Sequence, residues 1–120
     1  IVLLCAKAFG TNYVNRLPVT YLVPNAFAHN KTITSVTLPY TMETIHAHSF
    51  MHCTNLVSIN FPENSRLRKI GNGAFYKCIS LTSLVLPDSV EDMGDLVFED
   101  CENMIYIIIP HSVKWMGQGD

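Results

Sequence analysis

Charged residues are scarce in this chain: Asp, Glu, Lys and Arg make up 15% of the 120 residues, and the formal net charge is -2. So small a net charge argues against nucleic-acid binding, which requires a basic surface. No stretch of about 18 apolar residues occurs, so no membrane-spanning helix is predicted. Apolar residues nevertheless make up 48% of the chain, which argues for one folded domain with a modest core and against disorder.

The sequence also lacks the short motifs that identify common catalytic and metal sites. There is no Gly-x-Ser-x-Gly nucleophile elbow, no phosphate-binding glycine loop and no paired Cys-x-x-Cys spacing for zinc. Acidic residues are frequent between positions 88 and 102, but they lack the spacing of an EF-hand loop. We interpret them as a solvated face. These absences predict a protein that is not an enzyme and carries no cofactor.

What the chain does contain is one pattern repeated four times, 23 to 25 residues apart. Its columns are Phe27, Phe50, Phe75 and Phe98; Asn30, Cys53, Cys78 and Cys101; Ile33, Leu56, Leu81 and Met104; Val36, Ile59, Leu84 and Ile107; Leu38, Phe61, Leu86 and Ile109; and Pro39, Pro62, Pro87 and Pro110. A fixed period in this range indicates a solenoid, because one unit cannot bury its own apolar edge whereas stacked units can.

Each unit contains a short strand that ends at proline. In Leu81-x-x-Leu84-x-Leu86, the residues at 84 and 86 fall on one face because strand side chains alternate. Pro87 then ends the strand, since proline lacks the N–H group that a sheet requires. Stacked units turn each column into a continuous stripe, so we expect the four phenylalanines to form one row of rings.

The segment between two strands is predicted to hold a bend and a short helical turn. Gly94 shares its column with Gly71 and Gly117, and glycine at such a corner permits a positive φ angle. Asp95 has a side chain suited to a helix N-cap, so one short helical turn is expected to carry Phe98.

The second unit holds two extra residues within positions 63–69. The columns recover if Leu67 and Ile70 take the inward positions that Val90 and Met93 hold in the next unit. The insert then bulges outward. We expect its three basic side chains to form an exposed basic patch at which a partner binds: Arg66, Arg68 and Lys69.

The two ends of the chain fit the repeat less well than its middle. Residues 1–24 are predicted to form a degenerate or capping coil, and the solenoid is predicted to span 25–120. The pattern stops at Gly117 without the polar cap that terminal repeats require. The chain does not begin with Met, and its apolar start lacks a basic leader. We therefore expect a processed or partial chain and a solenoid that is part of a longer array.

One segment carries the full unit: Ile70-Gly-x-x-Ala-Phe75-x-x-Cys78-x-x-Leu81-x-x-Leu84-x-Leu86-Pro87-x-Ser89-Val90. It resembles the repeat of the BspA-like leucine-rich repeat family over its whole length, and the resemblance extends over about residues 26–117. Departures are His46 in the glycine column, Asn30 in the cysteine column, and the two-residue insert.

The resemblance implies an α/β repeat solenoid of the leucine-rich-repeat type, with a parallel β-sheet and about four coils joined by short helical turns. Known members are mostly surface proteins of bacteria and parasitic protists, and they are associated with adhesion to host matrix proteins and other cells. The resemblance implies no catalytic residues. It favours a cell-surface or secreted location.

The cysteine column suggests two alternatives. Cys53, Cys78 and Cys101 all face inward, and neighbouring coils could bring two of them within disulfide range. We favour buried free thiols that act as small hydrophobic groups. In the same column, Asn30 begins a glycosylation sequon, but we expect its amide to bind backbone groups at the corner instead.

The histidines suggest a metal site. His46, His48 and His52 lie within seven residues, His48 and His52 have helical i, i+4 spacing, and His29 occupies the register of His52 one coil away. A surface zinc or nickel site is therefore geometrically possible. We favour solvated loop histidines, with a pH-sensitive surface as a third interpretation.

The outward strand positions, on the predicted concave face, change character along the repeat. One row reads Ser35, Ser58, Ser83 and Tyr106, and the next reads Thr37, Asn60, Val85 and Ile108. Val85, Tyr106 and Ile108 are therefore predicted to form an exposed apolar patch of the kind that binds proteins. The alternative is that this last strand is covered by further sequence.

Two functions fit these features. The first is a non-catalytic protein-interaction module, a segment of a surface adhesion or recognition protein that binds host matrix or other proteins through the concave face. The second is an architectural component of a large assembly, with an intracellular location as the alternative to the cell surface. Residues 1–85 carry seven Lys or Arg against two acids, whereas 86–120 carry one against eight. In a solenoid this asymmetry lies along the axis, which suits end-to-end docking or head-to-tail self-association.

Overall fold

The computed structural model describes residues 20–118 and contains nine short strands. Strands of two residues alternate with strands of three along the chain. Their bounds are β1 Tyr21–Leu22, β2 Ser35–Thr37, β3 Thr44–Ile45, β4 Ser58–Asn60, β5 Lys69–Ile70, β6 Ser83–Val85, β7 Asp92–Met93, β8 Tyr106–Ile108 and β9 Trp115–Met116.

The strands stack as a parallel solenoid of about four coils, as predicted. The two-residue strands form one five-stranded sheet in the order β1-β3-β5-β7-β9, which we call the rear sheet. The three-residue strands form two separate pairs, β2–β4 and β6–β8, which we call the front sheets. All pairings are parallel, and neighbours in the sheets belong to consecutive coils. Side chains on the solvent side of the front sheets form the front face.

The repeated apolar columns form the core. The phenylalanine rings stack in one row, with centroids 5.5 Å apart for Phe27–Phe50, 5.4 Å for Phe50–Phe75 and 5.6 Å for Phe75–Phe98. Phe50 and Phe75 are fully buried. The predicted row of rings is therefore confirmed, and each ring buries the apolar faces of its neighbours.

The segment around each phenylalanine is not a helical turn, and residues 20–118 contain no helix. The residues two before and two after each ring have positive φ angles of 57–63°: Asn25, His29, His48, His52, Gly73, Lys77, Leu96 and Asp100. With these φ angles, backbone amides donate alternately within their own coil and to the next coil. Cys53 N donates to Phe50 O within the coil at 3.2 Å, whereas Phe50 N donates to Ala74 O of the next coil at 2.8 Å. A helix directs its amides along its own axis and cannot supply the bonds between coils.

The prediction that the glycine column permits a positive φ angle is wrong. These positions require glycine because there is no room for a side chain. Among residues 20–118, the glycine with positive φ is Gly73, outside that column. A Cβ atom added at Gly94 would lie 2.7 Å from Asn72 N, and one added at Gly71 would lie 2.6 Å from Ala47 N. At Gly71 and Gly94, the backbones of consecutive coils therefore approach too closely for a side chain.

Replacing Gly94 by alanine should lower the free energy of unfolding by about 1–3 kcal/mol, the usual cost of forcing atoms into a filled space. The nearest atom is the side-chain oxygen of Asn72, which can move, but Asn72 N and Cα are backbone atoms and cannot rotate away. Chemical denaturation of the variant measures this cost. His46→Ala is the matched control, because that position of the column already carries a Cβ, and a drop of equal size there would contradict the explanation.

The cysteine column contains free thiols that bridge the coils by hydrogen bonds. Cys53, Cys78 and Cys101 are unpaired. Each Sγ donates to the carbonyl of the phenylalanine one coil earlier: Cys53 to Phe27 at 3.1 Å, Cys78 to Phe50 at 3.1 Å and Cys101 to Phe75 at 3.2 Å. Asn30 has the predicted role, since its Oδ1 accepts bonds from Thr32 N at 3.0 Å and Ile33 N at 3.2 Å.

The second coil absorbs its two extra residues as predicted. Leu67 is fully buried and Ile70 is 2% exposed, so both occupy the inward columns. The insert turns outward through a bond from Ser65 N to Pro62 O at 3.1 Å.

The predicted capping coil of residues 1–24 lies mostly outside the described range, which begins at residue 20. Within that range, Tyr21 and Leu22 pair with Thr44 and Ile45 in the rear sheet. The regular rear sheet thus extends to residue 21.

Candidate protein-binding face

The front face carries two rows of side chains that the strand register brings side by side. In the first front sheet, Ser35 lies opposite Ser58 and Thr37 lies opposite Asn60. In the second, Ser83 lies opposite Tyr106 and Val85 lies opposite Ile108. The face therefore changes from small polar side chains to apolar ones between the two front sheets.

The three predicted contact residues form one apolar patch. Val85 and Ile108 are direct neighbours across β6–β8, and Tyr106 lies two residues before Ile108 on the same face. Their exposed fractions are 55%, 52% and 53%. Leu84, which directly precedes Val85 in β6, points inward and is 2% exposed, so the alternation of a strand produces both the core and the patch.

The basic insert is exposed, but it does not form a single free patch. Arg66 lies with its guanidinium carbon 5.4 Å from the centre of the Tyr40 ring. Arg68 Nη2 forms an ion pair with Glu91 Oε2 at 2.9 Å. Lys69 lies in the rear sheet between Thr44 and Asp92. The three side chains therefore have different neighbours, and the charge of Arg68 is already compensated.

The acidic segment contributes ion pairs and backbone contacts to the stack of coils. Glu91 contacts both Arg68 and, at 3.6 Å, Lys114 Nζ. The hydrogen bond from Arg68 holds the pKa of the Glu91 carboxyl below its usual value. Asp95 Oδ1 accepts a bond from Gln118 N in the next coil at 2.8 Å. Across residues 20–118, no group of three His, Cys, Asp or Glu side chains is arranged to hold a metal ion.

The histidines are arranged by the coils and not by a helix, so the helical spacing of the alternative metal site at His48 and His52 does not apply, whereas the predicted register of His29 with His52 is confirmed. His52 stacks instead on His29 of the preceding coil, with ring centroids 4.7 Å apart. His46 contacts the Tyr21 ring edge-on at 5.7 Å. Partial burial, followed by the nearby charges of His29, Lys77 and Lys31, lowers the pKa of His52.

An NMR titration of the histidine ring protons should place the midpoint of His52 below its ordinary value of 6.5. Because the folded pKa is lowered, His52 contributes stability above pH 6.5 that is lost as the pH falls through its folded midpoint. In His29→Asn, the His52 midpoint should rise towards the ordinary value. A His52 midpoint at or above 6.5 in the unaltered protein would show that the stacking has no electrostatic effect.

The front face also contains a feature that the sequence did not reveal as a site. Strands β4 and β6 belong to consecutive coils, yet they are not hydrogen-bonded neighbours. A groove of about 710 Å³ lies between them, lined by both strands and by the turns that follow them, including Phe61, Glu63, Val85 and Asp88. The signal was present in two unusual features of the second unit: the insert, and Phe61 in a column of Leu and Ile.

Comparison with known proteins identifies the repeat. The family model described as the BspA type leucine-rich repeat region matches residues 20–119 in six copies. The chain belongs to this family. BspA-type repeats also account for the parallel solenoid and the alternation of turn and strand seen here. Among proteins of curated function, none matches this sequence.

Solved structures of leucine-rich repeat proteins share this fold. One from Bacteroides capillosus is 30% identical, covers 77% of this chain and superposes with a TM-score of 0.69. A leucine-rich cell surface protein from Faecalibacterium prausnitzii is 26% identical over 81% of this chain, with a TM-score of 0.61. A protein from Bacteroides ovatus, 22% identical over 82% of this chain, shows the same fold with a TM-score of 0.64. The BspA-type chain spans 64%, 32% and 30% of these three proteins, respectively.

Proposed function

We propose that this chain is a non-catalytic protein-interaction module, a segment of a surface adhesion or recognition protein that binds its partner through the front face. The observation that carries this proposal is the apolar patch of Val85, Tyr106 and Ile108. All three side chains are more than half exposed although they adjoin one another. Contiguous exposed apolar groups on a folded domain commonly mark a contact site.

The composition of the patch favours a protein ligand. Tyr106 combines a large apolar ring with a hydroxyl that can hydrogen-bond, and tyrosine is enriched among residues that dominate binding energy. Val85 and Ile108 extend the apolar area beside it. The neighbouring polar row of Ser58 and Asn60 offers hydrogen-bonding groups at the rim. An apolar centre with a polar border is typical of protein interfaces.

A surface location is supported by the family. Of the relatives above, the Faecalibacterium prausnitzii protein is described as a cell surface protein. No helix long and apolar enough to cross a membrane occurs in residues 20–118. A host-facing role would place extracellular matrix proteins among the partners.

Binding to a panel of purified extracellular matrix proteins tests the proposal by surface plasmon resonance. We expect at least one to bind, and we expect Tyr106→Ala combined with Ile108→Ser to weaken that binding by about 100-fold, as for loss of two central contacts. Trp115→Ala is the control, because Trp115 is 65% exposed but lies in the rear sheet. Equal binding by the double variant would refute the role of the front face.

The alternative function is an architectural component that docks through its ends. One observation favours it: Met104, Ile107 and Val113 of the last coil are only partly buried, whereas their columns are buried in the preceding coils. Light scattering across a salt series distinguishes the alternatives. Association that weakens with salt supports docking through opposed charges, and a monomer at every salt concentration counts against it.

A further inference from the structure

The groove at β4 and β6 is a shallow depression on the front face with a closed floor. Its volume of about 710 Å³ lies within the usual range of small-molecule sites. The two strands keep Cα atoms within 8 Å of each other, so no ligand fits between them. A ligand in this groove therefore lies on top of the strands, against their outward side chains.

Two features of the second coil form one wall of the groove. Phe61 occupies a column that holds Leu38 and Leu86, both 2% exposed, whereas Phe61 itself is only partly buried. The two-residue insert follows directly after it, and Glu63 and Ser65 of this longer turn line the groove. The larger ring and the longer turn thus give this part of the front face a depth that the repeat alone does not produce.

The polar side chains on the floor of the groove have no partner within the described part of the protein. Ser58, Asn60 and Ser83 occupy outward strand positions and line the groove. None of the three side chains forms a hydrogen bond with another described residue. Elsewhere, small polar side chains connect neighbouring coils; Ser80 Oγ, for example, donates to Thr54 O at 2.6 Å. The floor therefore offers hydroxyl and amide groups that the fold itself does not use.

Two carboxylates border one end of the groove. Glu63 follows Pro62 and Asp88 follows Pro87, so the two acids hold equivalent positions in consecutive coils. Both are exposed, and neither forms an ion pair with another described residue. The described lining of the groove contains no Lys, Arg or His. These carboxylates can accept charge-assisted hydrogen bonds from a ligand, and their charge repels an anion.

Tyr106 provides an aromatic ring beside this polar floor. It is the register partner of Ser83 across β6–β8, and it is 53% exposed. Adjacent strands lie roughly 4.8 Å apart, so one ligand can contact the ring and the groups of the floor together. The site therefore combines an exposed aromatic face with hydroxyl, amide and carboxylate groups.

We infer that this groove binds a neutral oligosaccharide, carried by the partner, with one sugar ring stacked on Tyr106. This inference rests on the proposed recognition function of the front face and names the chemical group that the face recognises. A pyranose has an apolar C–H face, which packs on an aromatic ring. Its hydroxyl groups both donate and accept hydrogen bonds, as do the side chains of Ser58, Ser83 and Asn60.

The two carboxylates select among sugars. Asp88 and Glu63 accept hydrogen bonds from the hydroxyl groups of a neutral sugar. A sialylated or sulfated oligosaccharide places a further negative charge beside them, and like charges in contact oppose binding. A wholly apolar ligand is also disfavoured, because it would displace water from the floor without replacing the hydrogen bonds.

NMR spectroscopy of isotope-labelled protein tests the site with free oligosaccharides of defined structure. The panel contains neutral mannose-, galactose- and N-acetylglucosamine-terminated compounds and their sialylated or sulfated counterparts, each added up to about 10 mM to detect weak binding. At least one neutral compound should shift the amide signals of Ser58, Asn60 and Ser83 and leave those of Lys69 and Asp92 in the rear sheet unchanged. Absence of such shifts with every neutral compound, or stronger binding of the anionic ones, overturns the inference.

A double variant tests the polar floor. Asn60→Ala with Ser83→Ala should weaken oligosaccharide binding at least about tenfold, because both side chains lose their hydrogen bonds to the sugar. Thr37→Ala is the matched control, since Thr37 lies opposite Asn60 in β2–β4 but outside the groove. Circular dichroism verifies that both proteins fold. Unchanged binding by the double variant, or an equal loss in the control, contradicts the site.

Two substitutions of Tyr106 separate sugar stacking from general apolar contact. Tyr106→Phe keeps the ring and should bind the oligosaccharide within about threefold of the unaltered protein, whereas Tyr106→Leu keeps an apolar side chain without a ring and should bind at least about tenfold more weakly. Equal binding by the two variants would show that no sugar stacks on the ring, which overturns the inference.

The charge selection has its own test. Glu63→Gln with Asp88→Asn retains groups that hydrogen-bond and removes both charges, so this variant should bind sialylated oligosaccharides that the unaltered protein rejects. Continued rejection of the sialylated compounds would contradict the role of the two carboxylates.

Enzymatic removal of glycans from a bound matrix protein separates this inference from the proposed function. Prior removal of N- and O-linked glycans should weaken binding at least about tenfold. Undiminished binding that still depends on Tyr106 and Ile108 overturns the inference and leaves the proposed function intact. Binding of free oligosaccharides without binding of any matrix protein supports the inference and refutes the matrix proteins as partners.

Discussion

Replacing Phe75 by alanine is expected to lower the free energy of unfolding by about 3–5 kcal/mol, the usual cost of emptying a buried aromatic site. Phe75 is fully buried and lies between two parallel rings, 5.4 Å from Phe50 and 5.6 Å from Phe98. The variant removes both stacking contacts and leaves a cavity. The coils cannot close it, because the backbone hydrogen bonds between them fix their spacing. Denaturant titration followed by circular dichroism measures the loss.

Phe27→Ala provides the matched control for this prediction. Phe27 is partly buried and has a stacked neighbour on one side, Phe50 at 5.5 Å. It should therefore cost clearly less than Phe75→Ala. Equal effects at the two positions would mean that the rings contribute independently and that the stack is not the centre of the core.

Raising the pH above about 9 is expected to destabilise the protein progressively through its thiols. Burial raises the pKa of Cys53 from 9.0 to about 11 and that of Cys101 to about 11, and it raises the pKa of Cys78 as well. The unfolded chain therefore loses thiol protons at a lower pH than the folded chain does. The stability that these groups contribute is present below pH 9 and is lost as the pH rises through the folded values. For Cys53 a shift of this size corresponds to as much as about 3 kcal/mol.

Thermal unfolding between pH 7 and pH 11 measures this loss. Cys78→Ala should be less stable than the unaltered protein at pH 7, because it lacks a buried side chain and its bond to Phe50 O. Its stability should nevertheless decline less steeply with pH. Identical slopes for the two proteins would assign the alkaline transition to lysine or tyrosine side chains instead.

The architecture could be predicted from the sequence because the columns encode it directly. Phe50, Phe75 and the strand leucines repeat in register, and stacking them has one solution, a parallel solenoid. The patch of Val85, Tyr106 and Ile108 followed from the same register, since alternate strand residues face solvent. The exposure of these side chains is confirmed, and their role in binding stays a prediction.

The errors arise where the structure depends on contacts between coils and not on local sequence. A helical turn at Phe98 was a reasonable local prediction. The backbone amides there instead donate alternately to carbonyls of their own coil and of the next coil. Gly94 was assigned a conformational role, whereas the neighbouring backbone at Asn72 explains it. The alternative metal site at His48 and His52 relied on helical spacing, whereas His52 contacts His29 of the preceding coil, as the repeat register predicted.

The groove could not be predicted because it results from two small departures that act together. Phe61 looks conservative in an apolar column, and a two-residue insert looks like an ordinary loop. Only the three-dimensional arrangement shows that both lie at the same corner of the second coil, where β4 and β6 lose their hydrogen bonds. Differences between the units therefore shape this part of the front face, which the repeat alone does not predict.

Amide hydrogen exchange measured with and without a bound matrix protein is the most direct test of the front face as the binding surface. The account predicts that binding slows exchange in β6 and β8, at Ser83–Val85 and Tyr106–Ile108, and leaves the rear-sheet strands β5, β7 and β9 unchanged. Protection confined to the rear sheet, with β6 and β8 unaffected, would contradict it.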